Sequence, residues 1–128
     1  MKKEIIVSQK LSKPLGIYSQ AVKAEGSRLL FISGMTARDQ DGNIVGKGDM
    51  RAQTRQVLEN IKGVVEAAGM TLDNVLKATV YLHSMENFPK FNAVYGKYFD
   101  KVLPARETVE VSHLPRNVGV EISVICGK

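Results

Sequence analysis

The chain has 128 residues, 44% hydrophobic and 24% charged, which fits one domain over residues 1–128 with a modest core. No apolar run approaches the roughly 20 residues of a membrane-spanning helix, and the opening "MKKEIIVSQK" has only three successive apolar residues, too few for a signal-peptide core, so a cytoplasmic protein is expected. The net charge of +5 is spread along the chain, densest only at Lys2 and Lys3, which argues for solubility rather than for a nucleic-acid or membrane surface.

In chain order, Glu4–Val7 reads as a first strand. "SKPLGIYSQAV" opens as a loop punctuated by Pro14 and Gly16 and becomes extended from Tyr18 to Lys23. Gly26 and Ser27 read as a turn. Arg28–Met35 is nearly continuous in apolar character, as a strand covered on both faces would be. Asp41-Gly42 is a hairpin signal. The aspartates around it lack the later ligands and closing glutamate of an EF-hand. Asp49 suits a helix N-cap. Beyond it Val57, Leu58, Ile61, Val64, Val65 and Ala68 share one helical face, Arg55, Glu59, Lys62 and Glu66 take the other, and Gly69 is the stop. Asn74–His83 alternates as a strand, with Ala78, Val80 and Leu82 against Thr79, Tyr81 and His83. Met85–Phe99 is a second helix that tolerates Pro89 in its first turn. Its stripe of Phe88, Phe91, Tyr95, Tyr98 and Phe99 reads as core packing, not as a nucleobase platform. Arg106–Val111 and Asn117–Cys126 are the last strands, joined through "SHLPRN".

The order β-β-β-α-β-α-β-β predicts an α+β fold in two layers, a mixed six-stranded sheet with two helices on one face. In the last strand Gly119, Glu121 and Ser123 oppose Val120, Ile122 and Val124, so the other sheet face is half polar. Such a face suits a subunit interface with water-lined clefts, and a closed homo-oligomer is expected.

The single cysteine, Cys126, has the parity of the apolar residues of its strand and reads as a buried, inert thiol. His83 and His113 are 30 residues apart without further ligands at suitable spacing, so no metal site is expected. Serine-triad, phosphate-loop and dinucleotide patterns are missing, and "GKGD" from Gly46 to Asp49 lacks phosphate-loop spacing. Three residues stand out. Arg106, at the mouth of its strand, is either a surface cap or a guanidinium that grips a carboxylate through its planar fork. Glu121, amid β-branched neighbours, is either half of an ion pair, with Arg106 as one partner, or a carboxylate that holds or activates a water. Tyr18, after the "PLG" turn, is a packing residue or part of a cleft. Any reaction here is expected to run on positioning and one activated water.

Several motifs stand in register over nearly the whole length: Gly16-Ile17-Tyr18, Ser33-Gly34, a "Q-x-x-x-x-L-x-N" helix from Gln53 to Asn60, and "F-x-x-x-N-x-x-Y" from Phe88 to Tyr95. They continue with Pro104-Ala105-Arg106, Leu114-Pro115 and Val120-Glu121-Ile122. In these the chain resembles the Rid family of reactive intermediate deaminases, also called the YjgF family. The resemblance implies a chorismate-mutase-like α+β domain assembled as a trimer, helices outside and sheets forming an inner barrel-like core, with clefts between subunits. It implies an enamine/imine deaminase that needs no cofactor and hydrolyses 2-imino acids, formed from 2-aminoacrylate or 2-aminocrotonate, to 2-oxo acids and ammonia. The implied catalytic residues are Arg106 on the substrate carboxylate, Glu121 on the hydrolytic water, and Tyr18 supplied by the neighbouring subunit. Ser33, Gly34 and Asn92 would line the cleft.

Three positions depart from the family pattern: Ile17 in place of proline, Met35 in place of glutamine, and Thr108 in place of cysteine. Met35 and Thr108 are expected to meet the substrate side chain and to favour a bulkier or more apolar imino acid. "AQTRQVLENI" resembles pyrimidine-degradation members that act on 3-aminoacrylate-type compounds. The resemblance also admits a non-catalytic metabolite-binding regulator, or an endoribonuclease that inhibits translation.

Overall fold

Asp49 ends a loop in extended conformation and its side chain accepts the Ala52 N–H, which starts helix α1 at Met50 and runs it to Ala67 in a computed structural model describing residues 2–26 and 28–128. Gly69, at φ +76°, stops it as expected. The strands are β1 (Lys2–Ile6), β2 (Ala21–Glu25), β3 (Leu29–Met35), β4 (Val75–Leu82), β5 (Ala105–Glu110) and β6 (Val120–Gly127), and the second helix, α2, is Phe88–Phe99. The expected Gly26–Ser27 turn falls partly outside the described residues, at Ser27.

Four strands form one sheet in the order β3-β6-β4-β5, in which only β4 and β5 are parallel. Both helices pack on one face of it, over Ala78, Val80 and Leu82 of β4 and Val120, Ile122, Val124 and Cys126 of β6, all buried. The mixed sheet with two helices, an α+β fold, is therefore as expected. The six strands are not one sheet, however. β1 and β2 pair only with each other. Their facing residues include Lys2 with Glu25 and Glu4 with Lys23, and nearly every side chain of the ribbon is exposed. The second strand also starts at Ala21 rather than Tyr18. The Ser19 hydroxyl donates to the Leu103 carbonyl and the Gln20 side chain accepts the Ser8 N–H, which holds Tyr18–Gln20 as a loop.

Two burial expectations are corrected. Val64 and Ala68 lie outside the buried stripe of α1, which consists of Val57, Leu58, Ile61 and Val65 with Met50, Gln53 and Thr54. β3 is covered on one face only, since Leu29 and Phe31 stay 57% and 70% exposed while Ile32 is buried. On the sheet face opposite the helices, Leu29, Phe31 and Val109 are exposed among the described residues. Of the expected α2 stripe, the Phe91, Tyr95 and Phe99 rings are buried at centroid separations of 5.4 and 4.8 Å, whereas Phe88 and Tyr98 are only partly buried at the edge of the core. At Asp41-Gly42 the chain turns around the Asp39 carboxylate, which accepts the Asp41 and Asn43 N–H groups, with one bridge from Arg38 to Ile44 rather than a full hairpin. No helix is long and apolar enough to cross a membrane among the described residues.

Candidate functional site

Arg106 is set by the register of β5 on β4. It pairs with Ala78, so its side chain lies on the helix-covered face at the outer edge of the sheet. There it reaches α2, where Nη1 donates to Asn92 Oδ1 at 2.7 Å. The guanidinium carbon lies 4.8 Å from the Tyr95 ring centroid, 5.6 Å from Phe88, 5.8 Å from Tyr18 and 5.9 Å from Phe91. Arg106 is half-buried, and burial pulls its pKa down, opposed by Tyr95 and Tyr18. Among the described residues the one ion pair is Lys77 with Glu107, at 2.6 Å. Arg106 is thus a partly desolvated cation with one neutral hydrogen-bond partner and no carboxylate against it, which rules out the simple surface cap.

Tyr18 of the same chain completes this cluster, so its position beside Arg106 does not depend on a neighbouring subunit, contrary to expectation. The Leu103 bend, at φ +49°, and the Ser19–Leu103 hydrogen bond bring the Tyr18 loop to the start of β5. An open groove of about 400 Å³ runs from Tyr18 and Arg106 to Lys77 and Glu107. Thr108, two residues along β5, shares the Arg106 face opposite Val80. Its hydroxyl and that of Tyr95 are buried without hydrogen-bond partners.

Glu121 stands elsewhere. It pairs with Tyr81 of β4, one step out of phase with Ala78 and Val80, and so faces away from the helices. β3 crosses it where the β3–β6 ladder is interrupted between Ile32 and Met35. The Glu121 carboxylate lies against Gly34, and a Cβ there would force that side chain to shift. Ser33 and Gly34 are exposed, whereas Met35 pairs with Ile122 and packs partly into the core. Met35 and Gly34 also border an open groove of about 590 Å³ along the flank of α1. An Arg106–Glu121 ion pair within one chain is therefore excluded by strand alternation.

The expected residues thus fall into two sets: Arg106, Asn92, Tyr18 and Thr108 beside α2, and Ser33, Gly34 and Glu121, with Met35 at their edge, on the open face. The rings of Phe88, Phe91 and Tyr95 around Arg106 were not expected at the site. Their signal was helical spacing, since Tyr95 lies one turn after Asn92 on the same face. No group of three or more His, Cys, Asp or Glu side chains is arranged to hold a metal among the described residues.

The family model described as Endoribonuclease L-PSP matches residues 8–127. A RutC family protein of Pyrococcus horikoshii is 50% identical over 126 residues, spanning 98% of both chains. The mitochondrial protein MMF1 of Saccharomyces cerevisiae is 39% identical over 120 residues, 93% of this chain and 81% of its own. Among solved structures, YyfB of Yersinia pestis, described as a protein of unknown function of the conserved Rid family, superposes with a TM-score of 0.91 over 100% of both chains at 28% identity. Yeast Mmf1 superposes with a TM-score of 0.76 over 99% of each at 37% identity.

Proposed function

The chain belongs to the Rid/YjgF family, whose members include the RutC family proteins, and from that membership and the unneutralised Arg106 we propose that it is a cofactor-independent enamine/imine deaminase of the cytoplasm. Its substrates are small 2-imino acids. The Arg106 guanidinium takes the carboxylate through N–H groups that Asn92 does not use. Glu121 of a neighbouring copy holds a water against the imine carbon and accepts its proton as the C–O bond forms. Glu121 returns that proton to the imine nitrogen, which gives the neutral carbinolamine, and then carries the carbinolamine hydroxyl proton to the same nitrogen as the C–N bond breaks and the C=O bond forms, so that ammonia and a 2-oxo acid leave and the carboxylate is regenerated. Positioning of this kind contributes up to about 7–11 kcal/mol in the best cases.

The assembly that joins the two sets is a homotrimer packed through the open sheet face. That face carries Leu29, Phe31 and Val109, all exposed, around the polar Glu121 and Ser123. Exposed apolar patches rimmed by polar groups mark interaction sites. Thr108, two residues from Arg106 on the same face of β5, is the residue assigned to the substrate side chain.

The observation that carries this reading is a half-buried arginine, ringed by aromatics and lacking a carboxylate. The test generates imino acids in situ with an amino-acid oxidase and traps survivors with semicarbazide. Wild-type protein is expected to lower the trapped fraction, and Arg106→Ala is not. If 2-oxo acids bind but no imino acid is consumed, the protein is a metabolite-binding regulator instead. RNA cleavage that requires Arg106 would favour the endoribonuclease reading.

A further inference from the structure

We propose that Gln53 and Asn60 of α1 are positioning residues for the Gly34–Glu121 half of the site, a role that rests on the deaminase reading above. The two residues bracket the helix motif that no role in binding or catalysis has yet explained. Gln53 is almost fully buried, 4% exposed, on a helix otherwise stripped of buried amides. A buried amide is retained only where its donors and acceptor are used. Its Oε1 accepts the Gly119 N–H at 2.9 Å, two residues before Glu121, and its Nε2 donates to the Gly46 carbonyl at 3.0 Å. The Gly119 carbonyl in turn accepts the His83 N–H at 3.1 Å, so the approach to β6 is held from both sides.

Asn60, seven residues on, does the same for the other strand. Its Nδ2 donates to the Thr36 and Arg38 carbonyls at 3.1 and 2.8 Å, just beyond Gly34. Gln56 fixes its orientation by donating to its Oδ1 at 2.8 Å. Spacings of three and four residues place Gln53, Gln56 and Asn60 in one row along the helix. That row ties down the two chain segments that bring Gly34 and Glu121 into contact. The division of labour is then by helix: α2, through Asn92 and the rings, orients the carboxylate-binding guanidinium, and α1 orients the water-binding carboxylate.

The split is measurable. Gln53→Met keeps side-chain volume but removes both tethers, and Asn60→Ala removes the other pair. Val57→Ala, on the buried apolar stripe of the same helix, serves as a destabilised control that removes no side-chain hydrogen bond. With 2-iminobutanoate made in situ, Gln53→Met and Asn60→Ala are expected to lower kcat about tenfold or more while KM stays within about twofold, because transition-state positioning is lost and carboxylate binding is not. Val57→Ala is expected to lower the thermal midpoint without that loss of kcat. Backbone amide exchange, which needs no substrate, should accelerate at Gly119–Glu121 in Gln53→Met and at Gly34–Arg38 in Asn60→Ala, and not at Arg106–Thr108. Unchanged exchange at those segments overturns the proposal, as does an equal kcat loss in Val57→Ala. If exchange responds as expected but wild-type protein consumes no imino acid, the anchoring stands and the deaminase reading fails.

Discussion

Arg106 and Glu121 stand on opposite faces of the same four-stranded sheet. Arg106 pairs with Ala78, whose side chain is buried under the helices, and Glu121 pairs with Tyr81, which points to the open face. Because strand side chains alternate, no rotamer change carries one to the other through the sheet. A site that uses both must draw them from two copies of the chain.

This arrangement predicts complementation. Arg106→Ala and Glu121→Ala are each expected to be inactive in imine hydrolysis. When the two are unfolded together and reassembled in equal amounts, mixed copies of the proposed trimer should regain one intact site each, and activity should return to about one quarter of wild type for random mixing of a cyclic trimer. No recovery in trimers shown to be mixed would mean that the two residues do not share a site.

Replacing the guanidinium should separate charge from fork. Arg106→Lys retains a cation but not the paired N–H geometry, and the Nη1 bond to Asn92 is lost. Charge-assisted hydrogen bonds contribute about 1.5–3 kcal/mol, so binding of 2-oxobutanoate should weaken roughly 10- to 150-fold by calorimetry. The carboxamide analogue should bind wild type and variant alike. Equal binding of the 2-oxo acid by Arg106→Lys would argue against a bidentate grip.

Gly34→Ala offers a test confined to the other half. Its new methyl would collide with the Glu121 carboxylate and push it aside. A displacement of about 1 Å at a catalytic group costs on the order of 10²-fold in rate. Hydrolysis should therefore fall by that order while 2-oxobutanoate still binds near wild-type strength. Loss of binding in step with loss of rate would show that the methyl disturbs more than Glu121.

Periodicity made most of the fold legible. Asp49, the apolar stripe of α1 and Gly69 fixed one helix at both ends, and alternation in β4 and β6 gave the sheet its covered face. The misreadings share a cause, which is that they depend on partners distant in sequence. Leu29 and Phe31 look like core because apolar runs do, yet they stay 57% and 70% exposed. Tyr18–Gln20 looks extended, but a hydroxyl bond to Leu103, 84 residues away, makes it a loop. At the site, the residue types were legible through motif resemblance, whereas their partition into two sets needed the register of β5 and β6 on β4. The polar row of α1 reads as helix surface in sequence and is seen in space to hold both edges of the Glu121 half.

The Tyr95 hydroxyl is buried without a partner, although its ring packs between Phe91 and Phe99 and under Arg106. Burial pushes its pKa well above the ordinary tyrosine value, so it stays neutral at all working pH. Removing an unsatisfied buried polar group while keeping the shape is nearly neutral or stabilising, by about 0–2 kcal/mol. Tyr95→Phe should accordingly match or exceed wild type in denaturant midpoint at fixed protein concentration, with hydrolysis retained because the ring under Arg106 remains. A loss above about 1 kcal/mol would reveal a hydrogen bond made by that hydroxyl in solution.

Cys126 supplies a pH dependence of defined sign. Burial raises its thiol from 9.0 to about 11, with nearby Lys3 opposing. Below pH 9 the thiol is neutral in both the folded and unfolded chains, and its contribution to stability is complete. Between about pH 9 and 11 the unfolded chain ionises while the folded one does not, so that contribution shrinks as pH rises and is lost through the folded value. The stability of wild type relative to Cys126→Ala, which cannot titrate there, should therefore decline from pH 8 to pH 10.5 in guanidinium unfolding. In parallel, a thiol reagent at pH 8 should label the folded protein slowly and the unfolded chain at once. A difference between the two proteins that stays flat across this range, or rapid labelling of the folded form, would show that the thiol is not held in a dry core.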